Sequence, residues 1–128
     1  RRQENFDLLH EKLKAFDKFF ILPEAPEKAE VSWFCFPIIV RPDAPFSRKE
    51  IVSHLEKNKI ETRPILSGNI LKQPAYRTIQ KTVVSKLENT ERILYGGFFI
   101  GVHPLITNEE IEFVGKTFAD FCTRFSKP

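Results

Sequence analysis

The sequence contains few of the residues that build disulfide or metal sites. Only two of its 128 residues are cysteine. These two, Cys35 and Cys122, are too few for a disulfide framework or a multi-thiolate metal centre. Because free thiols are typical of a reducing compartment, we expect a cytoplasmic protein with no metal site.

Long apolar runs and a strong excess of one charge are also absent. No stretch approaches the roughly 18 consecutive apolar residues that a transmembrane helix needs, and residues 1–5 (RRQEN) do not resemble a secretory signal. The net charge is +3, from 20 basic and 17 acidic residues that are mixed along the chain. We therefore predict that neither a membrane nor a nucleic acid is a partner.

The aromatic residues are unevenly distributed among types. The chain has 13 phenylalanines but one tryptophan, two tyrosines and no methionine. Two interpretations stay open. The phenylalanines could form an unusually aromatic core, or some of them could form a surface that packs against a partner domain or subunit.

Apolar spacing and capping signals predict three helices. Residues 4–20 carry apolar side chains at steps of three and four, which is typical of an amphipathic helix. The members of this stripe are Phe6, Leu9, Leu13, Phe16 and Phe20. Ser47–Glu50 and Thr107–Glu110 have the capping-box pattern. They predict helices that end near Asn58 and Phe125.

Three strands are predicted between these helices. Val31–Val40 is apolar on both alternating sets and is expected to be covered on both faces, with an edge position or a bulge at Pro37. Ile60–Ile65 and Tyr95–Pro104 are the other two strands, and residues 79–92 are predicted to be irregular or a short helix. This order indicates one α+β domain, residues 1–128, with a small mixed or antiparallel sheet flanked by helices.

The sequence offers no recognisable catalytic set. No glycine-rich phosphate loop, metalloprotease motif or serine nucleophile elbow is present. His10 and His54 are expected to be solvated helix residues, and the two cysteines to fill the core. His103 follows a predicted strand, so it is a candidate binding residue, although a turn explains it equally well.

One polar cluster is a candidate ligand site. It consists of Arg63, Ser67, Gly68, Asn69 and Gln73. An arginine offers a planar donor fork to a carboxylate or phosphate. Hydroxyl and amide groups can donate to and accept from sugar hydroxyls. An ordinary surface loop is the alternative interpretation.

Four separated segments resemble the C-terminal part of the sugar aminotransferase family named for DegT, DnrJ and StrS, and its 3-dehydrase branch in particular. The segments, in order, are Ser32–Pro37 (SWFCFP), Glu61–Asn69 (ETRPILSGN), Lys72–Ala75 (KQPA) and Phe99–Pro104 (FIGVHP). The sequence departs from the family pattern at Cys35, where glycine is usual, and at Gly96–Gly97.

The resemblance implies that the chain is the small C-terminal domain of a fold-type-I, vitamin B6-dependent enzyme. The helix in residues 1–20 would then continue from an N-terminal domain that holds pyridoxal or pyridoxamine phosphate. The catalytic residues, among them a histidine in place of the usual Schiff-base lysine, would lie in that domain. None is expected in this chain, and no cofactor is expected to bind to this fragment.

The resemblance also implies a substrate and an assembly. The substrate would be a nucleotide-linked 4-keto-6-deoxyhexose of deoxysugar (lipopolysaccharide O-antigen) biosynthesis, which loses its C3 hydroxyl, and the enzyme would be a homodimer. Arg63, Ser67, Asn69 and Gln73 would lie at the substrate wall, and Gly68 would let the backbone approach the sugar. A sugar aminotransferase of the same family and a stand-alone ligand-binding or interaction module are the alternatives.

Overall fold

The structure is a computed structural model that describes residues 1–126. Over these residues the chain forms four α-helices and four β-strands. In chain order they are α1 (Arg2–Leu13), β1 (Phe20–Ile21), β2 (Cys35–Val40), α2 (Arg48–Lys57), β3 (Thr62–Pro64), α3 (Glu88–Gly96), β4 (Gly97–Gly101) and α4 (Asn108–Cys122). Short 3₁₀ turns lie at Lys14–Phe16, Ile70–Lys72, Pro74–Tyr76 and Thr123–Phe125.

The four strands form one antiparallel sheet in the order β1-β2-β4-β3. In its register Ile38 lies opposite Phe98, and Arg63 lies opposite Phe99. Since side chains alternate between the faces of a sheet, Ile38 and Phe98 share one face, and Arg63 and Phe99 share the other. The prediction of an α+β domain with a small antiparallel sheet is confirmed.

The hydrophobic core lies between one face of the sheet and the helices. That face contributes Phe36, Ile38, Val40, Phe98 and Ile100, all buried. Helices α1, α2 and α4 cover it with the buried side chains Phe6, Leu9, Leu13, Ile51, Leu55, Ile111, Phe118 and Phe121. The Phe46 ring lies 4.8 Å from that of Phe121 and 5.3 Å from that of Phe19, so several phenylalanines meet in one aromatic cluster.

Both predicted capping boxes are present. Ser47 Oγ accepts from the Glu50 amide, and Glu50 Oε2 accepts from the Ser47 amide at 2.7 Å. Thr107 and Glu110 form the same reciprocal pair at the start of α4. Each box satisfies backbone donors that a helix start leaves unpaired, so the boxes fix where α2 and α4 begin.

Several predicted boundaries are wrong. The helix predicted for residues 4–20 ends at Leu13, and Phe20 lies in β1 opposite Val40. Phe20 is 1% exposed, so strand pairing buries it as completely as the helical stripe would. The strand predicted from Val31 starts at Cys35. Residues 79–92, predicted to be irregular or a short helix, are irregular before α3 begins at Glu88, and because α3 continues through Tyr95 and Gly96, β4 starts later than predicted.

Helices α1, α2 and α4 cover one face of the sheet, whereas the other face meets the end of α3 at Ile39 and is otherwise partly exposed, which corrects the expectation that both faces of β2 are covered. On the second face Cys35, Pro37 and Ile39 are half-buried, and Phe34 just before the strand is 76% exposed. We call this second face, which also carries Phe99 and Arg63, the open face.

Pro37 lies in an inner strand, opposite Phe99 of β4, but its backbone nitrogen is directed toward the other side, where β1 does not reach. The Arg41 amide donates to Phe19 O at 2.9 Å, so the amide of Arg41 is directed toward β1. Backbone direction repeats every two residues, which places the Pro37 nitrogen on the same side. Strand β1 pairs only with Ile39 and Val40, so the missing N–H of Pro37 removes no ladder hydrogen bond. The predicted edge position is therefore correct in a local sense.

The outer side of β3 offers almost no free donor. The Thr62 amide and hydroxyl both donate to Glu56 Oε1, each at 2.7 Å. Pro64, two residues later and therefore facing the same side, has no N–H.

Within residues 1–126 no helix is long and apolar enough to cross a membrane.

Candidate functional site

The polar residues that follow β3 form a tightly turned loop, which we call the 67–73 loop. Ser67 and Gly68 both have positive φ, 62° and 53°. The Gly68 amide donates to Leu66 O at 2.7 Å, so the chain reverses over three residues around Ser67. A positive φ at a residue other than glycine is a strained conformation that surrounding contacts must hold.

Side-chain amides hold this loop closed. Gln73 Nε2 donates to Ser67 O at 2.9 Å, and Asn69 Oδ1 accepts from the Leu71 amide at 3.0 Å. Asn69 is only 2% exposed and begins the first 3₁₀ turn of the loop. The structure thus brings Ser67, Gly68, Asn69 and Gln73 together, as the sequence predicted.

Some polar atoms of the loop have no partner among residues 1–126. They are the Ser67 hydroxyl, Asn69 Nδ2 and Gln73 Oε1. They comprise one donor, one acceptor and one group that does both, which is a suitable set for a ligand rich in hydroxyl groups.

Gly68 is required by helix packing. A Cβ atom at this position would lie 2.7 Å from Leu94 Cα, which is closer than real contacts allow. The loop backbone therefore rests directly on α3. The predicted approach of a sugar to Gly68 stays a prediction, because the glycine already has this second reason.

Arg63 lies on the open face, on the strand that leads into the loop. Its guanidinium pairs with Glu61 Oε1 at 2.5 Å, and its side chain is 67% exposed. An exposed ion pair of this kind contributes only about 0–1 kcal/mol. The guanidinium can therefore exchange Glu61 for the anionic group of a ligand at little cost.

A groove of about 1020 Å³ runs beside Arg63. Its apolar lining includes Phe34, Phe99, Phe113 and Leu66, and its charged lining includes Arg63, Lys59, Glu61 and Glu110. Phe34 and Phe99 meet edge to face with their ring centres 6.0 Å apart. The groove therefore offers an aromatic surface for a planar or apolar group, and charges of both signs beside it.

The structure does not bring His103 to the loop. β3 and β4 are antiparallel, so His103, after the end of β4, lies at the end of the sheet where β3 starts, whereas the loop follows the end of β3. His103 Nδ1 accepts from the Leu105 amide at 3.2 Å, which is the turn role that the sequence left open.

The other two histidines are half-buried, which corrects the expectation that they are solvated. The His10 ring packs against Phe6 at 6.4 Å. His54 Nε2 lies 3.1 Å from Thr117 O and its ring lies 5.3 Å from Phe121, so His54 joins α2 to α4.

Neither cysteine is suited to nucleophilic chemistry. Burial raises the pKa of Cys122 to about 12 and also raises the pKa of the half-buried Cys35. Both thiols therefore stay protonated near neutral pH. In the part of the chain that the structure describes, no three histidine, cysteine or carboxylate side chains are grouped to hold a metal ion.

Sequence reasoning missed Arg48. Its Nη1 atom donates to Leu94 O at 2.9 Å and to Gly97 O at 3.0 Å, so it joins α2 to the end of α3. The available signal was an arginine in the first turn of a helix, where the macrodipole disfavours a positive charge. Such a residue needs an acceptor elsewhere.

Comparison with known proteins identifies the family. Residues 1–119 match the DegT/DnrJ/EryC1/StrS aminotransferase family. The chain belongs to this family. The resemblance that the four sequence segments indicated is therefore confirmed.

Curated relatives of this family member include 3-dehydratases. It is 38% identical over 121 residues to the lipopolysaccharide biosynthesis protein RfbH of Salmonella typhimurium, covering 94% of this chain and 28% of RfbH. It is 33% identical over 125 residues to dTDP-4-dehydro-2,6-dideoxy-D-glucose 3-dehydratase of Saccharopolyspora spinosa, covering 98% of this chain and 27% of the relative. The chain thus spans little more than a quarter of the length of these relatives.

Solved structures of the DegT/DnrJ/EryC1/StrS type share the fold. The GDP-4-keto-6-deoxy-D-mannose-3-dehydratase of Escherichia coli with bound hydrated PLP superposes with a TM-score of 0.77 at 32% identity, covering 91% of this chain and 29% of that one. An aminotransferase from Psychrobacter cryohalolentis has a TM-score of 0.84 at 12% identity, covering 98% of this chain and 34% of the other, which shows the fold alone. The fold is that of a domain of fold-type-I PLP enzymes, as predicted.

Proposed function

We propose that this chain forms the substrate wall of a nucleotide-sugar 3-dehydrase of deoxysugar (lipopolysaccharide O-antigen) biosynthesis. The observation that carries the proposal is the 38% identity to RfbH over 121 residues. Identities of 33% and 35% to two 3-dehydratases, which act on nucleotide-linked dehydro- or keto-deoxysugars, support the reaction type. The aminotransferase neighbour, at 12% identity, supports only the fold.

The geometry supports a binding role for this chain within that enzyme. Arg63 would pair with a phosphate or a sugar oxygen of a nucleotide-linked 4-keto-6-deoxyhexose, since its present partner Glu61 holds it only weakly. The partner-free atoms of Ser67, Asn69 and Gln73 would donate to and accept from the hydroxyl groups of the sugar.

The residues of the loop do not fit a complete cofactor site. An acidic side chain is a usual partner of the pyridine nitrogen in a pyridoxal site, and residues 65–76 contain no carboxylate. Glu61, just before β3, is paired with Arg63, and Glu91 of α3 is paired with Lys72. We therefore propose that pyridoxal or pyridoxamine phosphate and the catalytic groups lie in an N-terminal domain of the same enzyme, and we assign no catalytic step to residues of this chain.

The proposal includes an assembly and a compartment. The partner-free apolar groups of the open face and of the groove support packing against that N-terminal domain and against a second subunit of a homodimer. Two cysteines without a disulfide support a cytoplasmic enzyme.

A chimera tests the proposal directly. In it, the segment of S. typhimurium RfbH that matches this chain would be replaced by the chain itself. We expect the chimera to release the C3 hydroxyl of a nucleotide-linked 4-keto-6-deoxyhexose, as measured by mass spectrometry of the nucleotide sugar. The control chimera carries the equivalent domain of the P. cryohalolentis aminotransferase, which has the same fold but little sequence identity, and is expected to be inactive.

Two outcomes would contradict the proposal. If the folded chimera transfers an amino group from glutamate and leaves the C3 hydroxyl in place, the chain comes from a sugar aminotransferase. If the chimera folds, assembles and binds the cofactor as RfbH does but turns over no sugar, the chain is a binding or interaction module of this fold.

A further inference from the structure

Arg48 makes two hydrogen bonds from one nitrogen to the junction of α3 and β4. The acceptors are Leu94 O, in the last turn of α3, and Gly97 O, at the first residue of β4. The last four carbonyl groups of a helix have no partner within it. The Gly97 amide satisfies Ile93 O, and Arg48 satisfies Leu94 O. A cation at this position also interacts favourably with the helix dipole.

Helix α3 depends on these bonds more than the other helices do. It has nine residues, no side-chain cap at its N-terminus and no fully buried residue. Helices of this length are marginal in water unless tertiary contacts stabilise them. By contrast, α1, α2 and α4 each bury at least two apolar side chains, and α2 and α4 also begin at capping boxes.

Helix α3 in turn supports the 67–73 loop. Gly68 lies against Leu94, the residue whose carbonyl Arg48 binds. Lys72 Nζ pairs with Glu91 Oε1 of α3 at 3.2 Å. A Cβ atom added to Gly97 would lie 2.9 Å from Ile65 Cδ1, so the chain just before the loop also rests on this junction.

We propose that Arg48 is a positioning residue that sets the conformation of the 67–73 loop through α3. Within the described chain it makes no hydrogen bond or ion pair to a residue of the loop, and its effect is transmitted by Leu94 to Gly68. The strained conformation at Ser67 then persists because α3 holds the adjacent backbone in place. The consequence for substrate binding rests on the proposed function, whereas the mechanical coupling does not.

Hydrogen exchange in the 128-residue chain tests the coupling. The reporters are the amides of Leu71, Lys72 and Gln73, each of which donates a hydrogen bond within the loop. In Arg48→Met we expect these amides to exchange about tenfold faster or more, because bonds from charged donors are stronger than neutral ones. The core amides of β2 and β4 should change much less.

Arg41→Met is the matched control. Arg41 Nε also donates to a backbone carbonyl, Asp17 O, at 2.7 Å, and although Arg41 lines the same cavity as Glu91 and Tyr95 of α3, its bond ends outside α3 and β4. We expect no change at the three loop amides in this variant. Unchanged loop amides in Arg48→Met would overturn the proposal. An equal increase at all amides of the chain would do so as well, since Arg48 would then only stabilise the whole domain.

Two further variants keep the proposal testable if Arg48→Met does not fold. Arg48→Lys retains the charge and a donor, so it should restore part of the loop protection. Because coupling is reciprocal, Gly68→Ala should speed exchange of the Gly97 amide, which donates to Ile93 O. Gly115→Ala, in α4 where a Cβ meets only the flexible Lys12 side chain, is the control. No effect of Gly68→Ala on Gly97 would contradict the coupling.

Kinetics of Arg48→Met in the RfbH chimera separate this proposal from the proposed function. If the loop binds substrate, Arg48→Met should raise KM for the nucleotide sugar by about tenfold, with a smaller effect on kcat. If the loop amides loosen but KM does not change, the coupling is correct and the assignment of the loop to the substrate wall is wrong.

Discussion

The side chain of Asn5 is hydrogen-bonded to the backbone of His103. Asn5 Nδ2 donates to His103 O at 2.8 Å and, at 3.3 Å, to Ile106 O, so the first helix is fastened to the turn that follows β4. Asn5 is completely buried, and its Oδ1 atom has no partner within residues 1–126. A buried amide that donates twice and accepts nothing is an uncommon arrangement, since most buried polar atoms are paired.

Replacing Asn5 should destabilise the chain measurably. In Asn5→Ala two hydrogen bonds are lost, although His103 O keeps the Ile106 amide as a donor and Ile106 O keeps Arg1 Nη2, so we expect the free energy of unfolding to fall by about 0.5–1.5 kcal/mol. Urea unfolding followed by circular dichroism measures it. The control is Gln3→Ala on the exposed side of the same helix, where Gln3 bonds only to Asp7. Equal losses for the two variants would contradict the role of Asn5.

Lys59 occupies a backbone conformation that favours glycine. It has φ of 63° and follows α2, where its amide donates to Glu56 O and the next amide, of Ile60, donates to Leu55 O, both at 3.0 Å. This is the Schellman termination, in which glycine is the usual residue. Lys59→Gly should therefore raise the free energy of unfolding by about 0.5–1 kcal/mol.

The control for Lys59 is a glycine placed within the helix. Lys49→Gly, at an exposed position of α2, should have a free energy of unfolding about 1 kcal/mol lower than that of Lys49→Ala. If Lys59→Gly also lowered the free energy of unfolding, strain in the left-handed backbone would not be what limits stability at that position.

Glu56 should give the stability of the chain a specific pH dependence. Its hydrogen bonds from Thr62 lower its pKa from the ordinary value of 4.5. Because the pKa is lower in the folded state, the stabilisation is complete above about pH 5 and is lost as the pH falls below 4.5 through the folded pKa. Unfolding curves of the wild type and of Glu56→Gln, measured between pH 7 and about pH 3, should therefore converge as the pH falls.

Thr62→Val is the partner variant for Glu56. It removes the hydroxyl donor, which is the first cause of the lowered pKa, while the Thr62 amide remains as a donor. In this background the difference between Glu56 and Gln should depend less on pH. An identical pH dependence in both backgrounds would show that another carboxylate is responsible.

Arg63 distinguishes a binding role from a structural role. In the RfbH chimera Arg63→Ala should lower kcat/KM by about ten- to a hundredfold, the value of one charge-assisted hydrogen bond. The melting temperature should barely change, because the pair with Glu61 is exposed.

Two further variants calibrate the effect of Arg63→Ala. Asn69→Ala should reduce kcat/KM by a smaller factor than Arg63→Ala does. Arg92→Ala, which loses only an exposed bond to Asn89, is the control. Reduced stability of Arg63→Ala with unchanged kcat/KM would remove Arg63 from the site.

The exposed apolar side chains should make the isolated chain associate. Phe34 is 76% exposed and Leu66 is 84% exposed, and both line the groove. We expect light scattering to show self-association and a hydrophobic dye to bind. The double variant Phe34→Ser and Leu66→Ser should reduce both signals. Val84→Ser, which changes an equally exposed residue outside the groove, should not. A monomeric wild type that binds no dye would contradict this expectation.

The parts of the fold that the sequence predicted well are those that local chemistry determines. The capping boxes at Ser47 and Thr107 satisfy backbone donors within four residues, so their pattern alone locates the start of α2 and α4. Phe20 is the opposite case. Its stripe position fits a helix, but its pairing with Val40, twenty residues away, decides its conformation, and no local pattern reports that.

The candidate site was predictable in its composition but not in its internal bonding. The structure brings the Ser67–Gln73 residues together in one loop, where small and amide residues cluster in the sequence, and their role in binding stays a prediction. The sequence could not show that Asn69 and Gln73 use half of their amide groups on the loop itself, since this depends on how the turn closes. For α3 it left a short helix and an irregular segment as alternatives and did not place the end of the helix at Gly96.

Few backbone donors are free at the edges of the sheet, and this limits how the domain can join other chains. Beside β3 the Thr62 amide is bonded to Glu56, and Pro64 has no amide hydrogen. Beside β2, where the short strand β1 stops, Pro37 has none either. A fifth strand from another molecule would therefore meet carbonyl acceptors but almost no donors beside β3, and a proline beside β2 where β1 stops. This makes side-chain surfaces, rather than a sheet continued from one subunit to the next, the expected contacts of any assembly that contains this domain.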